Sequence, residues 1–358
     1  MKKKMVETEK IRIEKTKNSR LSEVDFDHIP FGKQYSDHMF VADYANGEWN
    51  NPRIVPYANM QISPASQALH YGVSVFEGMK AYKHDGRVLL FRPLRNHERL
   101  NKSAKRLCIP DIPEDIFMDG MNALLKLDAG WVPDKENTSL YVRPVMFSTE
   151  EYIGIKASEA FRFMIITCPV GAYYSNPVSV KIETKYARAV AGGTGYAKAA
   201  GNYAGSLYPT KLANEMGYDQ LIWTDGKEHK YIEEAGTMNL FFIINGVLVT
   251  PALTDTFLHG ITRDSIIELA RDMGYSVEER QLSVEELLNA LYDNKIDDAF
   301  GVGTAATVTH ISSIGHDGLN YHLPDVSERT ISLRIRDELE AIKTGKTNDR
   351  FGWVHEVK

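Results

Sequence analysis

The stretch AGGTGYAKAAGN at 191–202 sets one lysine, Lys198, behind a glycine-rich run and ahead of Ala199, Ala200 and Gly201. Small neighbours leave room for a bulky planar group against the amine. The run is not a P-loop, because no Gly-Lys-Ser/Thr follows at the required spacing. Glycine-rich loops are also ordinary structural turns, and a lone lysine is ordinarily solvated, so this stretch decides nothing by itself.

Three other stretches carry weaker signals. TDGKEHKYIEEAGTMNLFFI at 224–243 sets Glu233 and Glu234 before a small-residue turn and an apolar strand. On their own the two carboxylates read as part of a solvated loop. LHGITRDSI leads from Gly260 into a helix, whose first-turn amides and dipole suit an anion. GVGTAATVTH at 301–310 is a small-residue turn after an apolar strand, and its amides suit an anion too. Capping and turn formation account for both unless a phosphate is implicated elsewhere.

The elements that must position these residues follow from periodicity. Segments 38–44, 87–91, 139–147 and 161–170 are rich in β-branched and aromatic residues and predict strands. Segments 96–107 and 114–127 carry helical spacing, with Pro110 and Pro113 between them. A strand near 179–184 runs through the glycine-rich loop into a helix over 204–217, followed by strands near 219–224 and 238–249. A helix is expected over 261–274, capped by Thr262 and closed by Gly274. Another is expected over 283–293, with Ser283 and Glu286 forming a capping box, and a last one over 328–343.

The chain has 358 residues, which suits two domains. Apolar residues make up 43% and charged residues 25%, so the core needs no metal or disulfide. A net charge of −6 points to neither nucleic acid nor membrane. The basic bias from Lys2 to Arg20 is broken by Glu7, Glu9 and Glu14 and lacks an apolar run, so it reads as a flexible tail over 1–20 and not as a targeting peptide. Cys108 and Cys168 both sit in apolar contexts, read as buried thiols, make no metal site and fit a reducing, cytoplasmic setting. No apolar run approaches the length of a membrane span. The expected division is a tail at 1–20, a small domain at 21–170, a connecting loop at 171–180 and a larger domain at 181–358.

Taken in order, the motifs resemble the class IV aminotransferases of the branched-chain type, the fold-type IV pyridoxal-phosphate enzymes. The likeness runs through IPFGKQYSDHMF, PASQALHYGVSVFEGMKAY, LFRPLRNHERL, SLYVRPVMF, GTGYAKAAGNYAGSL, EEAGTMNLF, HGITRDSI and GVGTAA. It leaves out only the first twenty residues or so. The resemblance implies an α/β fold of two domains and reversible amino transfer between L-leucine, L-isoleucine or L-valine and 2-oxoglutarate. It implies pyridoxal 5'-phosphate as cofactor and a homodimer.

Carried onto this chain, the resemblance makes Lys198 the cofactor-bearing lysine. Tyr203 meets the cofactor's phenolic oxygen. Glu234, five residues before Asn239, faces the pyridine nitrogen in preference to Glu233. Arg99, Thr237, Ile261, Thr262 and Thr304 complete the cofactor cradle. Thr304 and Ala305 receive the substrate carboxylate. Phe31, Tyr71, Phe76, Tyr141 and Tyr173 form the side-chain pocket, and Arg143 meets the second carboxylate of glutamate. Two departures stand out. Ala306 and Thr309 occupy the positions of a redox cysteine pair found in mammalian members, and His259 replaces the proline before the phosphate-binding helix. Competing readings are a D-amino-acid aminotransferase, an aminodeoxychorismate lyase, or a non-catalytic pyridoxal-phosphate-binding protein. Bleaching of the lysine-bound cofactor's colour by L-leucine, against D-alanine, separates them.

Overall fold

The computed structural model describes residues 11–171 and 176–358. The chain divides into two compact units, Met1–Gly171 with Lys343–Lys358, and Ala172–Ile342. Both are mixed α/β.

The first unit is built on a nine-stranded sheet. Its strands are β1 (Arg12–Ile13), β2 (His38–Ala45), β3 (Glu48–Pro56), β4 (Ser74–Phe76), β5 (Met79–His84), β6 (Arg87–Phe91), β7 (Ser139–Ser148) and β8 (Phe161–Val170), with a last strand from the C-terminus, Val354–Glu356. Their order is β1-β3-β2-β8-β7-β5-β6 and then the C-terminal strand, with β4 on β7. Two hairpins turn where the sequence offers residues that tolerate positive φ: Asn46-Gly47 (56° and 86°) and Asp85-Gly86 (48° and 76°). Three helices, α1 (Gln67–Tyr71), α2 (Pro93–Arg106) and α3 (Glu114–Leu127), join the sheet. Proline at the first position of α2 gives up an amide that a helix start leaves unpaired anyway. Phe40, Phe117 and Phe163 form the centre of the packing, and Gly120 leaves the room that the Phe40 ring needs.

The second unit contains β9 (Val178–Ile182), α4 (Ala200–Glu215), β10 (Gln220–Thr224), β11 (Ile232–Ala235), β12 (Met238–Ile244), β13 (Val247–Pro251), α5 (Ile261–Asp272), β14 (Val277–Arg280), α6 (Val284–Tyr292), β15 (Ile296–Gly303), β16 (Thr307–His316), β17 (Leu319–His322) and α7 (Ile331–Lys343). Strand order is β11-β10-β9-β16-β15-β12-β13-β14, and β11 also pairs with β12. That last pairing closes six strands into a ring. A core of β-branched and large apolar side chains, among them Val180, Ile222, Leu240, Phe242 and Ile311, packs within this unit.

Several expectations need correction. Residues 12–20 are not a loose tail: β1 pairs with β3, Thr16 N donates to His38 Nε2, and Arg20 N donates to Asp37. Residues 343–358 belong to the first unit, because the C-terminal strand pairs with β6 and buries Trp353. The apolar run at 238–249 is a hairpin and not one strand, turning at Asn245-Gly246 with φ of 50° and 77°. The helix after the glycine-rich loop begins at Ala200, inside that loop's expected span. Gly260, not Thr262, caps α5. Ser283 caps α6 as expected, but Glu286 is drawn away to Arg280 and does not complete the box. Cys108 is exposed, whereas Cys168 is buried.

Trp353 stacks on Phe351 with ring centroids 4.1 Å apart and meets Phe91 edge-on at 5.6 Å. Trp353→Ala is expected to destabilise the protein by about 3–5 kcal/mol, the cost of emptying a packed aromatic site. A urea titration measures it, and a loss below about 1 kcal/mol would show that the C-terminal strand is only loosely held.

Candidate active site

The lysine loop is closed by a side chain from the helix that follows it. Asn202, in the first turn of α4, accepts from the Thr194 hydroxyl at 2.6 Å and donates to the carbonyls of Thr194 and Ala197, both at 2.8 Å. Ala197 and Ala199 are buried on either side of Lys198. Lys198 Nζ donates to Tyr203 Oη at 2.7 Å. The two residues expected to act together are therefore in contact, one before the helix and one within its first turn.

Glu233 and Glu234 are not in a solvated loop. Both lie on β11 and both are buried, at 5% and 3% exposure. Glu234 forms an ion pair with Arg188 Nε at 2.8 Å, although that N–H is not aligned for a hydrogen bond. Burial pushes the Glu234 carboxyl up, while Arg188, the Leu258 amide and Lys198 oppose the shift. Its neighbour across the ladder is Asn239, whose Nδ2 donates to the Leu258 carbonyl at 2.8 Å. Asn239 Oδ1 in turn lies where a Cβ at 260 would have to go, so only glycine fits there. Glu233 accepts a hydrogen bond from the Thr256 hydroxyl, and its Oε2 is buried without a partner among the described residues. Burial pushes its carboxyl up to about 7, with Thr256 and Arg188 opposing and the nearby Glu234 and Asp225 reinforcing.

The anion-binding end is assembled from two turns. Gly260 starts α5 with no side-chain cap, leaving Ile261 and Thr262 in a first turn whose amides suit a phosphate. Thr304 and Ala305 occupy the turn between β15 and β16, half-buried. Thr237 sits at the neighbouring turn between β11 and β12, its carbonyl 3.9 Å from where a Gly303 Cβ would be. His259, in place of proline, points its Nε2 at the Thr254 carbonyl, 2.8 Å away.

The remaining expected residues lie in the first unit. Arg99 on α2 is buried and forked onto Glu77, with Nε on Oε1 at 2.7 Å and Nη2 on Oε2 at 2.8 Å. Asn96 also donates to Glu77, so the guanidinium is fixed in place. Arg143 lies 4.6 Å over the Phe76 ring and donates to Tyr141 Oη at 2.9 Å. Phe31 meets Tyr141 edge-on at 5.5 Å, and the close approach of Tyr141 Oη to Gly78 excludes any side chain there. Phe31, Phe76, Tyr141 and Arg143 thus form one cluster. Tyr71, at the end of α1, is exposed and stands beside His70. Tyr173 lies outside the described residues.

Tyr203, Glu234, Thr237 and Leu258 line a cleft in the second unit, together with Arg188 and Asn202. The residues here fit pyridoxal phosphate. A lysine amine stands beside a phenol, a buried carboxylate paired with arginine suits a protonated ring nitrogen, and an uncapped helix start suits the phosphate. Sequence reasoning missed Arg188, Asn202 and Thr256. Asn202 was marked only by its place in Gly-Asn-Tyr. Arg188 and Thr256 stand in unpatterned segments and carry no local signal.

The raised Glu233 carboxyl has a consequence for stability. From about pH 4.5 to about 7 the folded protein keeps a proton that the unfolded chain has lost. Stability therefore falls as pH rises across that window, by roughly 3 kcal/mol. Glu233→Gln removes this loss. It is expected to raise the melting temperature relative to wild type at pH 8, with the gain shrinking towards pH 5. A difference that does not vary with pH would refute the assignment.

The sequence profile of the class IV amino-transferases matches residues 74–314. A probable branched-chain-amino-acid aminotransferase of Staphylococcus epidermidis is 44% identical over 98% of this chain and 99% of its own length. The crystal structure of the Escherichia coli branched-chain amino acid aminotransferase, 31% identical, superposes with a TM-score of 0.72 over 90% of this chain and 99% of its own. The branched-chain aminotransferase of the thermophilic archaeon Thermoproteus uzoniensis, solved with norvaline, is 28% identical, with a TM-score of 0.74 over 90% of this chain and 100% of its own. Another solved branched-chain amino acid aminotransferase, also 28% identical, carries N-(5'-phosphopyridoxyl)-L-glutamate. With a phenol and a paired carboxylate lining one cleft, a lysine amine in contact with that phenol, and this likeness over nearly its whole length, the chain belongs to the class IV amino-transferase family.

Proposed function

We propose that this chain is a branched-chain amino acid aminotransferase, exchanging amino groups between L-leucine, L-isoleucine or L-valine and 2-oxoglutarate, with pyridoxal 5'-phosphate held on Lys198. The observation that carries this reading is Arg143. Its guanidinium is set among aromatic rings, and its Nε is buried without a partner among the described residues. Aromatic walls suit a leucine side chain and are hostile to a carboxylate, since a buried unpaired charge is costly. An arginine among them offers a partner when glutamate or 2-oxoglutarate binds. The names of the S. epidermidis and E. coli relatives support the same substrate class.

When bound, the cofactor supplies an electron-withdrawing ring that stabilises negative charge at the substrate Cα. Lys198 Nζ is the attachment point and, once released, the base that moves the Cα proton. Tyr203, already in contact with that amine, orients it and meets the phenolic oxygen. Glu234, paired with Arg188, would face the ring nitrogen and favour a proton there. The first turn of α5 at Ile261 and Thr262, with Thr304, would bind the phosphate, and Arg99 is the first unit's candidate for that group. Thr304 and Ala305 amides would receive the substrate carboxylate, and the cluster of Phe31, Phe76 and Tyr141 would suit its apolar side chain. The enzyme works as a cytoplasmic homodimer in this reading. The exposed apolar side chains Leu69, Tyr71, Ile153 and Ile155 support self-association, and the two unpaired cysteines support a reducing compartment.

Borohydride reduction of the holoenzyme followed by peptide mapping is expected to place the pyridoxyl group on Lys198, and Lys198→Ala to abolish turnover. A label on another lysine overturns the assignment. Arg143→Gln should separate the half-reactions. Single-turnover reaction with L-leucine stays within a few-fold of wild type. Reaction of the pyridoxamine form with 2-oxoglutarate falls by roughly ten- to a thousandfold, as expected for losing a charged hydrogen-bonded partner. Equal losses in both halves would make Arg143 a structural residue.

A further inference from the structure

Segment 254–260 touches the lysine loop, Arg188, both buried carboxylates and the start of α5. Asp255 holds the lysine loop twice, taking Gly192 N on Oδ2 at 2.7 Å and Tyr196 N on its carbonyl at 3.0 Å. The Thr256 carbonyl accepts from Arg188 Nη2 and lies so close to Gly195 that any Cβ there would strike it. The Leu258 amide faces Glu234, and the Leu258 carbonyl accepts from Asn239. Gly260 then begins α5. A shift of this segment would move the lysine loop, the ring-facing carboxylate and the anion-binding helix start together.

A short run of side chains holds the segment. Glu233 accepts from the Thr256 hydroxyl, the hydroxyls of Thr256 and Thr254 are 2.6 Å apart, and His259 Nε2 reaches the Thr254 carbonyl at 2.8 Å. Glu233 comes from β11, directly before Glu234, so one strand both supplies the ring-facing carboxylate and anchors the segment behind it. The charged groups acting on these two carboxylates are Arg188, Lys198 and Asp225. A buried acid with an unpartnered oxygen is a costly way to fill space, and an apolar residue would fill it without that cost.

We propose that Glu233 is a positioning residue for the cofactor: through Thr256 it fixes segment 254–260, and with it the placement of Lys198 and Glu234. This rests on the reading of Lys198 as the cofactor-bearing lysine.

The test compares wild type, Glu233→Ala, Thr256→Val and the double variant. The dissociation constant for pyridoxal 5'-phosphate is followed by tryptophan fluorescence quenching, and the lysine-bound cofactor by its visible absorption. Each single change is expected to weaken binding about tenfold and to alter the absorption, and the double variant to be no weaker than either single one. Glu233→Gln keeps an acceptor for Thr256 and is expected to restore wild-type absorption and binding to within about threefold. Wild-type binding by Glu233→Ala, or losses that multiply in the double variant, overturn the proposal. Should Glu233→Ala fail to fold, Thr256→Ser and Thr256→Val decide the matter. Serine is expected to bind as wild type and valine is not, and equal binding overturns the proposal. A wild type that shows no lysine-bound absorption would instead remove the assignment of Lys198.

Discussion

Two neighbouring carboxylates are buried beside one guanidinium, and the second unit is arranged around that imbalance. A charge taken out of water must be paired or given up. Arg188 gives its ion pair to Glu234. Glu233 is left with a threonine hydroxyl and keeps its proton up to about pH 7. Two identical side chains in consecutive positions are thereby given different partners, a guanidinium for one and a hydroxyl for the other. The cleft is lined by the one that Arg188 meets.

Arg188 can serve both as counter-ion and as a clasp because its two ends do different things. Its Nε meets the carboxylate, while Nη2 gathers the carbonyls of Gly195 and Thr256. Two glycines nearby, Gly195 and Gly260, are fixed by packing and not by turn geometry. Gly195 has no room because of Thr256, and Gly260 has none because of Asn239. Asn239 reaches that place because β11 and β12 pair and close the ring of strands, which sets it opposite Glu234. The first unit follows a similar rule. Glu77 is buried and takes both Arg99 and Asn96, so its charge is met on two sides.

Much of this was legible in the sequence. The strands at 87–91, 139–148 and 161–170 follow from dense β-branched and aromatic runs, which leave no helical alternative. The family and its mixed fold were legible from motif order, since several short patterns in one succession do not arise by chance. Tertiary pairing was not legible. Whether Glu233 and Glu234 are solvated depends on whether β11 finds neighbours, and KEHKYIEEAG has no apolar period to say so. Arg188 is distant in sequence from the carboxylate it serves, and no local rule marks it. The cap of α5 was misplaced because threonine is a strong capping type, while the chain enters the helix at a glycine that Asn239 demands. The C-terminal strand was missed because a three-residue edge strand carries almost no pattern.

That short strand changes how the chain has to be made. The first unit is not a contiguous stretch: its last strand is delivered only after the whole of the second unit has been written. As the polypeptide leaves the ribosome, β6 emerges early with one edge open, and Phe91 waits without Trp353. The second unit is in effect an insertion within the first and holds its own core, so it can fold during that wait. The first unit's sheet is then completed by a zipping step between segments far apart in the sequence. The open edge in between is the point at which a nascent chain would most need a chaperone.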